Sequence, residues 1–119
     1  MLPHFSVRPD GSPDVNWDHP ADPRFLLAHF IGAEVYLLLD NADAFLQAID
    51  ALKEGKMESW HWCGNSFTVE LSKWRCVITD HWWEPGDPSP GMVELTLEEF
   101  HSLIAAWRDF VVRQQRRRP

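Results

Sequence analysis

The chain has 119 residues, with 18 aspartates and glutamates against 11 lysines and arginines, a formal charge of −7. Hydrophobic residues make up 45% and charged residues 24%, enough apolar content for one core and far from the composition of disordered chains. No apolar run approaches the roughly 18 residues of a membrane span, the first ten residues carry no secretion signal, and Cys63 and Cys76 are too few for a disulfide framework, which predicts a soluble cytoplasmic protein with both cysteines buried.

Residues 8–24 hold four prolines, Pro9, Pro13, Pro20 and Pro23, and predict an irregular arm, with Val15 to Trp17 as an edge strand anchored by Trp17. Phe25 to Ile31 is apolar apart from His29, Gly32-Ala33 offers a turn, and Glu34 to Leu39 reads as a buried strand because Val, Tyr and Leu suit one. Asp40 or Asn41 then supplies an N-cap for a helix over 41–54, whose Phe45, Leu46, Ile49 and Leu52 recur at helical spacing before Gly55. A strand up to Cys63, a Gly64-Asn65 hairpin turn and a strand from Phe67 to Leu71, in which apolar and polar residues alternate, come next. Trp74 to Trp83 is a third strand, residues 84–91 are a loop excluded from regular structure by three prolines, and Met92 to Leu95 returns as a short strand. Thr96-x-x-Glu99 is a capping box that opens the last helix, with Leu97, Phe100, Ile104, Trp107 and Val111 on one stripe, widened by Leu103 and Phe110. The order predicts a single α+β domain, an antiparallel sheet of four to six strands with two helices on one face. The arm at 8–24 and a basic tail at 113–119 flank it.

Charge and tryptophan are both unevenly spread. Residues 113–119 hold four of the basic residues, so the preceding 112 carry 7 basic against 18 acidic, a charge of −11. Such a body repels phosphate and speaks against nucleic acid as a partner, although aromatic residues on a sheet are one way to stack bases. It favours a basic protein partner instead. Five of the seven tryptophans, Trp60, Trp62, Trp74, Trp82 and Trp83, lie between positions 60 and 83. They imply an aromatic sheet face that the arm, a second copy of the chain or a partner must cover.

No phosphate-binding glycine loop, nucleophile elbow or zinc-protease motif is present, which removes the large motif-bearing enzyme classes. His61, Cys63, Cys76 and His81, with Asp80, are the only plausible metal or thiol set, and their strand parities disagree; Asp18-His19 with Asp22 reads as a solvated turn. Buried cysteines and edge-exposed histidines are the expectation, with no cofactor. Glu84, Asp87, Glu94, Glu98 and Glu99 are expected to cluster around the 84–91 loop.

The run Glu34-Val-Tyr-Leu-Leu-Leu-Asp40 leading into a helix that ends at Gly55, then Trp62-Cys-Gly-Asn-Ser-Phe-Thr-Val69, then Leu97-Glu-Glu-Phe100 with Trp107-x-x-Phe110, resembles the small acidic immunity proteins of bacterial polymorphic toxin and contact-dependent inhibition systems. The likeness spans residues 34–112. It implies a non-enzymatic protein that binds and blocks a cognate toxin domain, with Trp82, Trp83, Glu84, Asp87, Glu94, Glu98, Trp60 and Trp62 as candidate partner-binding residues. The alternatives are a subunit that homodimerises through the tryptophan-rich sheet face, and a small metal- or thiol-dependent enzyme built on the His and Cys set.

Overall fold

A computed structural model describes residues 2–117. Two strands, β1 (His4–Val7) and β2 (Pro13–Asn16), pair antiparallel as a hairpin. Three helices, α1 (Pro23–Phe30), α2 (Leu39–Lys53) and α3 (Leu97–Arg117), accompany a four-stranded antiparallel meander of β3 (Ser59–Cys63), β4 (Phe67–Ser72), β5 (Arg75–Asp80) and β6 (Met92–Thr96). The α+β class with an antiparallel sheet is as the residue pattern predicts.

The register explains why the sheet has one dry face. Trp60, Leu71, Cys76 and Leu95 form one row of facing residues, and Trp62, Val69, Ile78 and Val93 form the next. Both rows pack against the helix layer in one continuous core. Phe45 of α2 lies at its centre, edge-on to Trp60 and Trp62 at 5.7 and 4.9 Å and to Phe100 of α3 at 5.5 Å. Such aromatic geometry stabilises beyond the area it buries. On the opposite face His61, Glu70, Val77 and Glu94 make a row in which Glu70 and Glu94 are exposed, and Arg75 pairs with Glu94 at 3.2 Å.

That second face is therefore polar, and it corrects the expectation of an aromatic sheet surface in need of a cover. Nor is the arm wrapped over it. Residues 8–24 contain a turn and β2, and the hairpin docks on the helix layer, where Phe5 meets Trp107 at 5.1 Å and Phe110 at 5.7 Å.

The largest departure is at residues 23–39. Asp22 caps α1 by accepting from the Arg24 N–H, Pro23 occupies the first turn, and Leu26, Leu27, Phe30 and Ile31 bury one helical stripe. A π-helical turn over Ile31–Val35 follows, closed by the Tyr36 N–H on the Ile31 carbonyl at 2.7 Å. The expected strand over 34–39 is therefore helix and turn, because helical spacing that begins at Leu26 overrides local β preference. The second helix starts at Leu39, with no side-chain cap from Asp40 or Asn41; Asn41 instead donates to the Glu34 carbonyl at 2.8 Å. At the other end the capping box forms as expected, the Thr96 hydroxyl accepting from the Glu99 N–H at 3.0 Å and the Glu99 carboxylate from the Thr96 N–H at 2.9 Å. Residues 113–117 of the basic tail, with Arg113, Arg116 and Arg117, lie within α3, while residues 118 and 119 are outside the described residues.

Candidate functional site

The β5–β6 connection, residues 81–91, carries one of the two most exposed tryptophans among the described residues, Trp82 at 73% beside Trp74 at 77%. Strand β5 stops at Asp80, so Trp82 and Trp83 lie beyond the sheet. The Asp80 carboxylate accepts from the Trp82 N–H at 2.9 Å, and the Trp82 side chain is left 73% exposed. Trp83 turns the other way: its ring lies against Gly91, leaving no space there for a Cβ, and its indole N–H donates to the Ser89 carbonyl at 2.7 Å. One tryptophan thus fastens the loop and its neighbour is presented to solvent.

Glu84 and Asp87 close the loop tip on each other. The Asp87 carboxylate accepts from the Glu84 N–H, and the Asp87 N–H donates to the Glu84 carbonyl, both at 3.0 Å. Gly86 between them has φ of 102°, a conformation that a side chain would strain. At the loop base the Asp80 N–H donates to the Gly91 carbonyl and the His81 N–H to the Ser66 carbonyl, both at 2.9 Å. The His81 ring is hydrogen-bonded to the Thr68 hydroxyl.

Beside Trp82 is a pocket of about 330 Å³ between the loop, α1 and the β3–β4 turn. Phe25, His29, Phe67, Trp82 and Pro90 line it together with Asp80. The β3–β4 turn that supplies Ser66 and Phe67 to its lining is held by Glu34, which is only 3% exposed. The Glu34 carboxylate reaches from the π-helical turn to accept from the backbone N–H groups of Asn65, at 3.3 Å, and Phe67, at 3.3 Å, with Ser66 at 3.5 Å. The buried Glu34 side chain is held here by converging amides, so it serves structure and is not offered to a ligand.

The expected partner-binding residues divide. Trp82, Trp83, Glu84 and Asp87 share the loop. Trp60 and Trp62 do not join them: they are half-buried on β3 against Phe45, core aromatics at the sheet edge. The expected acidic cluster is also dispersed. Glu94 is in mid-strand with Arg75, while Glu98 and Glu99 are in the first turn of α3 at the far end of β6, Glu98 on Lys53 at 2.7 Å and Glu99 in the capping box. Lys53 lowers the Glu98 carboxyl below its ordinary value, and the Thr96 N–H does the same for Glu99.

The His and Cys set does not converge. His61 and Cys63 are exposed on the polar face, which corrects the expectation that Cys63 is buried, whereas Cys76 lies in the core. Burial pushes the Cys76 thiol far above its usual range, which removes its nucleophilic form. Among the described residues no three His, Cys, Asp or Glu side chains are placed to hold a metal ion. Asp22, read as part of a solvated turn, caps α1 and holds the Arg24 guanidinium through both carboxylate oxygens, at 3.0 and 2.8 Å.

Sequence reasoning missed the α1 wall of the pocket, Phe25 and His29, and the role of Glu34 in holding the β3–β4 turn. The signal that finds them is Asp22-Pro23 as a helix start followed by apolar positions 26, 27, 30 and 31. No protein family, curated protein or solved structure matches the chain. Among the described residues no single helix is long and apolar enough to cross a membrane.

Proposed function

We propose that this chain is a non-enzymatic, immunity-type binding protein that neutralises a basic toxin domain by seating the 81–91 loop over the toxin's active site. The observation that carries the reading is Trp82, a large indole left 73% exposed while its backbone is fixed by Asp80. A rigid, solvent-facing tryptophan is a costly surface feature, and the commonest use for one is as an anchor buried in a partner. The fastened loop means that little ordering entropy is lost on docking. Glu84 and Asp87 beside it, on a body of charge −11, draw in basic groups and orient them. The polar outer face of the sheet gives the homodimer reading no comparable surface. The proposed setting is the cytoplasm, where Cys63 and Cys76, on opposite faces of the sheet, stay reduced.

The test is capture of partners from a lysate of the producing cell by the tagged full chain, eluted with a salt gradient. A second chain carries Glu84→Lys and Asp87→Asn, the latter keeping an acceptor for the Glu84 N–H. The expected result is one stoichiometric basic protein, released by salt, whose activity the wild-type chain blocks. The paired variant releases it at clearly lower salt. An unchanged elution position with the variant overturns the placement of the site.

A further inference from the structure

We infer that the pocket beside Trp82 receives an arginine side chain of the partner, stacked on the indole and paired with Asp80. This rests on the reading of the loop as a binding surface and names the group that it takes. Three properties of the pocket point the same way. Its walls are flat and aromatic, Phe25, His29 and Trp82, at about 330 Å³, enough for one long side chain. Among the described residues Asp80 is the only carboxylate in its lining, and no lysine or arginine lines it. The Asp80 Oδ1 is committed to the Trp82 N–H, while Oδ2 makes no hydrogen bond among the described residues.

A guanidinium is the cation that uses all of this. It stacks on aromatic faces, its weakly hydrated plane costs less to desolvate than an ammonium, and its forked donors suit a carboxylate edge. Its three-carbon stem meets the Phe25 and Pro90 surfaces. The molecule shows the same chemistry internally, where Arg24 stacks over the Trp17 ring at 3.9 Å while Asp22 holds its guanidinium. The strongly acidic body supplies charge complementarity at longer range.

The probe is the capped tripeptide acetyl-Gly-Arg-Gly-amide, titrated into the full chain and followed by the Trp82 indole N–H and Ala33 amide resonances. Two comparison peptides replace arginine by citrulline, which keeps the shape without the charge, and by norleucine, which keeps only the stem. The expected result is a saturable shift with the arginine peptide and binding about tenfold weaker or worse with the other two. Asp80→Asn retains Oδ1 for the Trp82 N–H, so it removes the charge while leaving the loop built, and it is expected to cost the same factor. Equal binding of norleucine overturns the assignment in favour of a purely apolar socket. Dimerisation in sedimentation that Asp80→Asn abolishes also overturns it, because the arginine would then come from a second copy. No response to any peptide, with capture of a basic partner still dependent on Glu84, defeats the pocket and leaves the proposed function standing. Arginine binding through Asp80 with no basic partner to be found does the reverse.

Discussion

Gly64 is the residue on which the seating of the buried Glu34 side chain depends. A Cβ at this position overlaps the Glu34 carboxylate and meets the Trp62 ring at 2.5 Å, so the only side chain that fits beneath the buried acid is none. Gly64→Ala is expected to lower stability by about 1–3 kcal/mol, read as a shift in the urea midpoint, since the core around Trp62 must give way. An unchanged midpoint would mean that the carboxylate can settle elsewhere without loss. Gly64 looks like an ordinary hairpin glycine in the sequence, because Gly-Asn is a common turn pair. Its tie to Glu34, thirty residues away, is invisible until the helical turn that carries Glu34 is known.

At the scale of elements, the residues that alternate or recur with a clear period announce themselves. Phe67, Val69 and Leu71 read as a strand with one dry face, and the stripe from Leu97 to Val111 reads as a helix; both are buried as spaced. The junction between β6 and α3 has no loop at all, so the helix start must be satisfied by side chains. Thr96→Ala is expected to cost about 1 kcal/mol by chemical unfolding, and Glu99→Ala a similar amount, with the double variant costing less than the sum because the two bonds form one motif. Additive effects would show two independent caps. By contrast, residues 34–39 read as a strand on their Val, Tyr and Leu content, while the wider spacing from Leu26 onward is helical. The parity of β3 placed Trp60 and Trp62 together but left open which face was dry. The 84–91 loop is plain from its prolines, yet the pocket beside it is not, since one of its walls is α1, which the apolar run 25–31 does not by itself mark as a helix.

Across the whole molecule, the N-terminal hairpin is held to the helix layer by apolar and polar fastenings. Phe5 packs against both Trp107 and Phe110, which stack on each other at 5.7 Å, and the Tyr36 hydroxyl donates to the Pro13 carbonyl at 2.8 Å while accepting from Arg8 at 3.0 Å. Just beyond β2, Trp17 lies under Arg24, which Asp22 holds. The hydrogen bonds from the Arg24 guanidinium, joined by its backbone N–H, bring the Asp22 carboxyl down to about 2 from an ordinary 3.8. A depressed carboxylate stabilises the fold in its charged form, so this contribution is complete above 3.8 and is lost as the pH falls through about 2. Asp22→Asn keeps a capping side chain and removes the charge. The expected outcome is a urea-midpoint gap between the two proteins that is constant above pH 3.8 and narrows toward pH 2. A gap independent of pH would assign Asp22 to capping alone.

The contact of Phe5 with Trp107 and Phe110 also sets the order of events during synthesis. The hairpin is translated well before the aromatic surface that it docks on, and α3 supplies Phe100, Leu103, Ile104 and Trp107 to the same core as α1 and α2. Until α3 leaves the exit tunnel, the apolar faces of α1, α2 and the sheet have no lid. The chain therefore completes its fold only after α3 has been translated, and the nascent intermediate that waits is the form most in need of a chaperone.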